Sequence, residues 1–372
     1  MSANLSIQSI KSKTATELYV TATPEQNVPM QKQAEDIFCA IRDTLAAQGA
    51  RILQEKIFVD RTAAQDVSSI RAKTYGDISD AVRPSFLVAK EGGCDRLAGV
   101  QVHAIVTENK PEVILLDGTP HGRLIRTPAC TWLTLSGVSA PQLAEATEQA
   151  QAVLEKGESA LKKFGADFLS VARTWMWLCD ILAWYGQFNK VRNRFFTQRG
   201  LIGQGTRQSM PASTGIGLCV ANGSKCAMDL TAVLEPANAI EFFQALGKQE
   251  CALEYGSAFS RASRAISPAG RTVFVSGTAS IDAEGATTHA GDAQGQIRAT
   301  IENVRAVLRD TQMSDENVVQ AMAYCKTREV EEIFREFRRS LAWPCVTVIC
   351  DICRPDLLFE MEITAAKQIT SA

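Results

Sequence analysis

One order of elements recurs along this chain, and a repeat of that kind constrains the architecture before any single element is placed. The last copy is the clearest. A strand-forming run, Arg271 to Ile281 (RTVFVSGTASI), leads into a loop rich in Gly, Thr and Asp, Asp282 to Asp292. Ala293 to Asp310 then carries Ile297, Ile301, Val304 and Leu308 at helical spacing. A strand from Asn317 to Thr327, a helix from Val330 to Leu341 and two strands, Pro344 to Ile352 and Leu357 to Ala365, complete the order β, α, β, α, β, β.

The middle copy, Gly122 to Pro236, repeats that order with Arg123 to Ala140, a helix over Gln142–Phe164, a strand over Ala166–Leu178, a helix over Gly186–Gly200, and closing runs MPASTGIGLCVA and CAMDLTAVL. Ser136-Gly137 stands for Ser276-Gly277, and Pro211 for Pro344. The first copy keeps ELYVTAT, a helix over Met30–Gln48, ARILQEKIFVD and LAGVQVHAIV, while Thr62 to Gly93 reads as irregular. A helix laid on one face of a sheet leaves the other face without a partner, and three units packed around an axis supply one. The expectation is an α+β fold with units at 1–121, 122–250 and 251–372 forming a pseudo-trimer within one chain, hence a monomer or weak dimer.

Composition narrows the partners. The net charge is −2, from 39 basic and 41 acidic residues without a block of one sign, which leaves no electrostatic footprint for nucleic acid or an anionic membrane. Small molecules are the expected partners. No run approaches the roughly 18 apolar residues of a membrane span, and the start, MSANLSIQSIKSK, lacks the order of a secretory signal, so a cytoplasmic protein is expected. The 11 cysteines lack framework spacing and read as reduced core residues. Cys350 and Cys353 form a CxxC without a second pair, and His103, His121 and His289 stand apart, so no metal site is expected. RGLIGQG and STGIGL lack the lysine or acidic residue of a nucleotide site. The aromatic cluster Trp175, Trp177, Trp184 and Tyr185 suits a core or the wall of an apolar pocket.

Two carboxylates stand out. Glu360 and Glu362 are two apart on one strand and share a face, with Leu358; Leu357, Phe359, Met361 and Ile363 take the other. A glutamate between apolar walls is held neutral by desolvation, and a second carboxylate nearby raises its pKa further, which prepares a general acid.

The last copy resembles the YjgF/Rid proteins, small βαββαβ units that form trimers with ligand clefts between subunits. YGSAFSRAS (255–263), FVSGTASIDAEG (274–285), HAGD (289–292) and DICRPDLLFEME (351–362) resemble the chorismatases, single-chain relatives that hydrolyse chorismate; RTW (173–175) and FNKVR (188–192) are similar to the middle segment of that family. The resemblance implies Glu360 as the acid that protonates the enolpyruvyl ether, with no metal or organic cofactor. It implies substrate contacts from Arg261, Arg192 and Arg354, with Arg173 in reserve, together with Tyr255, Ser280 and Glu362, and it makes Cys353 a pocket residue that influences the product. The products would be pyruvate and a dihydroxycyclohexadiene carboxylate or hydroxybenzoate. Rid imine deaminases carry an arginine where this chain has Trp343, with Ser213 at the matching place in the middle copy. Imine deamination would therefore need a relocated anchor, and a binding protein that keeps the cleft without the reaction is the other alternative.

Overall fold

The computed structural model of this chain describes residues 3–25, 27–89, 97–203 and 208–369. The ends of the segment 62–93 and of the glycine-rich stretch 199–205 lie outside them. The first sheet holds β1 (Ala3–Lys11), β2 (Thr16–Pro24), β3 (Arg51–Asp60), β4 (Ser85–Ala89) and β5 (Leu97–Val106), backed by α1 (Met30–Gln48) and α2 (Ala64–Tyr75). The second holds β6 (Glu112–Leu116), β7 (Thr119–Arg126), β8 (Thr131–Ser139), β9 (Val171–Leu178), β10 (Ala212–Ile216) and β12 (Cys226–Glu235), with α3 (Ala146–Lys162) and α4 (Ile181–Gln198). Between β10 and β12, β11 (Cys219–Val220) leaves its own unit and pairs antiparallel with β4. The third sheet holds β13 (Ile240–Phe243), β14 (Ala262–Ser267), β15 (Gly270–Ala279), β16 (Val318–Cys325), β17 (Cys345–Ile349) and β18 (Phe359–Lys367), with α5 (Ala293–Asp310) and α6 (Arg328–Arg338).

The strand orders are one order written three times: β1-β2-β5-β3-β4, β7-β8-β12-β9-β10 and β14-β15-β18-β16-β17, each ending in a parallel pair. Each unit opens with a hairpin, which the sequence reading ran together as a single strand in Arg123 to Ala140 and entered only at its second arm elsewhere. Three apolar clusters fill the layers between each sheet and its helices. A fourth lies where the inner faces meet, and Tyr19, Trp132, Trp175, Phe274 and Met322 bring all three sheets into it. This is the pseudo-trimer, and helix α5 shows how sequence builds it. Ile297, Ile301, Val304 and Leu308 are buried on one face, and Asp292 caps the start by accepting from the Gly295 N–H at 2.9 Å.

Two expectations are corrected. Thr62 to Gly93 is not irregular, for it contains α2 and β4. The buried face of α2 is Val67, Arg71 and Tyr75, and the last two bond the Glu55 carboxylate (Arg71 Nε at 2.9 Å, Tyr75 Oη at 2.9 Å), so a polar face replaced the apolar stripe that marks a helix. The cysteines are not all thiols. Cys179, at the end of β9, is joined to Cys219 of β11, 40 residues on, because the excursion to the first sheet returns the chain beside the start of α4.

Candidate active site

Strand β18 begins at Phe359, and from there the alternation holds: Phe359, Met361 and Ile363 enter the layer under the helices while Glu360 and Glu362 face inward. Leu357 and Leu358 precede the strand and are out of phase with it, Leu357 in the central core and Leu358 against the outer layer, the reverse of the sequence pattern. Both glutamates are buried, at 5% and 6% exposure. Their partners differ. Glu362 is held at both oxygens, by Arg173 Nη2 at 2.8 Å and by Trp175 Nε1 at 2.7 Å. Glu360 makes no hydrogen bond among the described residues and lies over Gly277, where an added Cβ would sit 2.2 Å from its Oε1. Burial first, and then the charge of Glu362, raise the Glu360 carboxyl to about 8, against the lowering pull of Arg173 and Arg354.

Glu360 opens on a pocket between the second and third units. Arg192 comes from α4, Arg261 from the residue before β14, and Cys353 and Arg354 from the turn ahead of β18, with Tyr255 across from them. The three guanidinium groups stack on aromatic rings: Arg192 on Phe188 and Phe259 (4.9 and 5.6 Å), Arg261 on Tyr255 and Phe259 (5.4 and 5.7 Å), and Arg354 on Tyr255 (5.4 Å). Their bonds go to neutral acceptors, namely Asn189 Oδ1 for Arg192, the Glu250 carbonyl for Arg261 and the Gly285 carbonyl for Arg354. Arg192 Nε is buried without a hydrogen-bond partner among the described residues. Among the described residues none of the three meets a carboxylate. The cleft thus holds three uncompensated cations beside one carboxyl that keeps its proton at neutral pH, an arrangement suited to a small dianion. Cys353 is pushed up to about 12 by burial and by the Glu360 charge, so it enters the pocket as a neutral thiol.

The structure therefore brings together Glu360, Arg192, Arg261, Arg354, Tyr255 and Cys353, and it sets Glu362 and Ser280 outside the pocket wall. Glu362 stands behind Glu360, and the Ser280 hydroxyl is 2.6 Å from that of Thr288. Arg173 serves Glu362 and the Thr214 hydroxyl. A larger open groove of 1220 Å³ lies between the first and third units, against 40 Å³ between the walls at Glu360. The wide groove is lined by mixed charges, among them Glu331, Glu332 and Arg335, and among the described residues no buried acid faces it. Chemistry favours the narrow pocket.

Comparison with solved structures places the fold. A crystal structure of a chorismatase matches 98% of this chain and 99% of its own, with a TM-score of 0.62 at 18% identity. The chain has the chorismatase fold. Residues 254–367 match the family model described as Endoribonuclease L-PSP, so the resemblance read from the sequence is the one the comparisons return. A 3-hydroxybenzoate synthase of Streptomyces hygroscopicus is 29% identical over 252 residues, 60% of this chain and 70% of that one. A putative endoribonuclease of Thermotoga maritima covers 35% of the chain at 22% identity, with a TM-score of 0.28.

Within the chorismatase fold the pocket gains walls that sequence reasoning did not assign to it: Gly215, Ser257 and Phe259, along with Tyr185 and Ser213. Tyr185 belongs to the aromatic run and Ser213 to the place of the Rid anchor, so a signal existed for both. Ser257 and Phe259 lie inside the quoted motif YGSAFSRAS without any spacing that marks them. Trp343 is buried in the outer layer of the third unit, away from the pocket.

Proposed function

We propose that the protein is a chorismatase-like enzyme that cleaves the enolpyruvyl ether of chorismate. The observation that carries this reading is Glu360, a buried acid without a hydrogen-bond partner among the described residues, facing a cleft whose three arginines lack carboxylate partners there. Chorismate carries two carboxylates, one on the ring and one on the enolpyruvyl group, and guanidinium forks bind such groups with paired charge-assisted bonds. The named activities of a 29%-identical relative and of the structure with the same fold support the substrate.

The chemistry needs one acid. Glu360 gives its proton to the terminal methylene carbon of the enolpyruvyl ether, and the ether oxygen stabilises the resulting oxocarbenium ion. Water adds to that ion, its proton returns to the Glu360 carboxylate, and the hemiketal collapses to pyruvate and a dihydroxycyclohexadiene carboxylate. Loss of water from this diene gives a hydroxybenzoate. Protonation of carbon by a positioned acid contributes typically 10²- to 10⁴-fold, and a carboxyl that titrates at about 8 still holds its proton at pH 7. The units 1–121, 122–250 and 251–372 would then divide the labour. The third supplies the acid and the second supplies Arg192.

Incubation of the purified protein with chorismate, read by a coupled pyruvate assay and by mass spectrometry of the ring product, tests the proposal. Stoichiometric pyruvate is expected; pyruvate no faster than in the protein-free control would refute it.

A further inference from the structure

The pocket lies between the second and third units, yet a residue of the first reaches the carboxylate behind it. By strand register, Lys56 of β3 pairs with Gln101, Trp175 of β9 with Asp229, and Met322 of β16 with Glu362. Lys56, Trp175 and Met322 thus occupy one position of the repeat in three units, and all three are buried at the centre. Lys56 is the charged one. Its ammonium sits 3.2 Å from the centroid of the Trp175 ring and makes no hydrogen bond among the described residues. Trp175 in turn donates from Nε1 to Glu362 Oε1 at 2.7 Å, and Arg173, 4.8 Å over the same ring, donates to Oε2 at 2.8 Å.

We infer that Lys56 is a positioning residue that acts through Trp175 and Glu362 to direct the proton of the two-carboxyl pair to Glu360. Glu360 and Glu362 are two apart on β18, and in a pair of neighbouring carboxyls the position of a proton depends on where the cations lie. Arg173 and Lys56 stand on the Glu362 side and favour the microstate in which Glu362 is the anion and Glu360 the acid. A cation over an indole face also strengthens the N–H as a donor. The charged and titratable groups around the pair are Arg173 on β9, Tyr324 on β16, Asp229 on β12, Lys56 on β3, Tyr185 and Arg192 on α4, Tyr255 and Arg261 ahead of β14, and Cys353 and Arg354 before β18. Burial lowers Lys56 to about 8 while Glu362 and Asp229 hold it up, so its charge is present at neutral pH.

This inference rests on Glu360 as the acid, and its test separates the two. In Lys56→Met and Lys56→Gln the cation is gone, so the last proton should leave the pair at higher pH, while a larger share of that proton sits on Glu362. The expected result is a fall of about tenfold in kcat at pH 7 with KM little changed, together with an alkaline limb moved upward by about half a pH unit or more. A loss of packing alone would lower kcat without moving the limb. The same shift is expected without substrate, in the pH titration of the Glu360 carboxyl followed by carbon-13 NMR of glutamate-labelled protein and assigned with Glu360→Gln. If the wild-type protein releases no pyruvate, the chorismate reading fails and the NMR titration still decides on Lys56. A Glu360 titration identical in wild type and in whichever neutral variant folds would overturn the inference.

Discussion

Glu360 and Glu362 are buried alike, and their partners rather than their burial set them apart. Glu360→Gln keeps shape and should leave the fold intact while turnover drops about 10²-fold or more. Its effect on stability should depend on pH. Folding raises this carboxyl from the ordinary 4.5 to about 8, so the stability that the neutral form contributes is complete below about 4.5 and is lost as pH rises through about 8. The melting temperature of Glu360→Gln relative to the wild type should climb between those values and level off above; thermal melts at pH 4.5, 6.5 and 8.5 measure it, and a flat difference would show that the acid is not raised. Cys353→Ala removes a thiol that lines the pocket but holds its proton, so affinity or product ratio should shift before turnover is lost, as read by the ratio of diene to hydroxybenzoate.

At the scale of elements, the bulge of β15 places Glu360. Pairing with β18 jumps from Val275 to Thr278, which leaves Gly277 opposite the carboxyl. Gly277→Ala would put a methyl carbon 2.2 Å from Glu360 Oε1 and 3.2 Å from Thr214 Cγ2, both side-chain atoms, so the carboxyl must move. The expectation is a folded protein with turnover down by about tenfold or more; wild-type activity in that variant would show that Glu360 is not confined there. The bond between Cys179 and Cys219 ties the start of α4, which carries Tyr185 and Arg192, to the excursion after β10, which carries Ser213 and Gly215. It closes 40 residues, a loop for which the chain-entropy argument gives on the order of 4 kcal/mol. Replacing both cysteines by serine should lower the melting temperature by several degrees, and a non-reducing mass spectrum should show two fewer alkylatable thiols than the reduced chain.

For the whole molecule, three seams between units carry three different fates. At the seam of the first and third units, Glu17 is fully buried and accepts from Ser267 Oγ at 2.6 Å and the Ala269 N–H at 2.8 Å, with His103 Nε2 at 2.9 Å. Here the register position of Glu360 is Gly99, where a side chain would meet the Ala22 carbonyl at 2.8 Å and Val346 at 2.9 Å. At the seam of the first and second units that position is Ala227, and Asp229 is tied to Ser85 Oγ at 2.6 Å and the Gly137 N–H at 2.7 Å. A trimer of identical chains would repeat one site three times; among the described residues of this chain, an acid at that register position stands at one seam. Calorimetric titration of Glu360→Gln with chorismate should give one ligand per chain. Light scattering should give the mass of a single chain, about 40.4 kDa, or of a weak dimer, because covalent linkage already supplies three units; three chains per particle would contradict this.

What the sequence determined by itself is what local chemistry writes: the repeat, the helices α1 and α5 with their apolar stripes, and the phase of β18 from Phe359 onward; the arginines of the pocket came only with the family resemblance. It did not show α2, because the partner of Arg71 and Tyr75 is a carboxylate on another strand. It did not show the Cys179–Cys219 bond, because their proximity depends on β11 joining a sheet it does not belong to. Nor did anything around Lys56 in EKIFVD distinguish it from a solvated lysine. Only tertiary structure gives the two glutamates different surroundings, since the packing of the second unit against the third brings Arg173 and Trp175 onto Glu362 and leaves Glu360 to the cleft. Long-range contacts set the dielectric and the charge around a carboxyl, and those two quantities, not its place in the chain, decide whether it holds a proton.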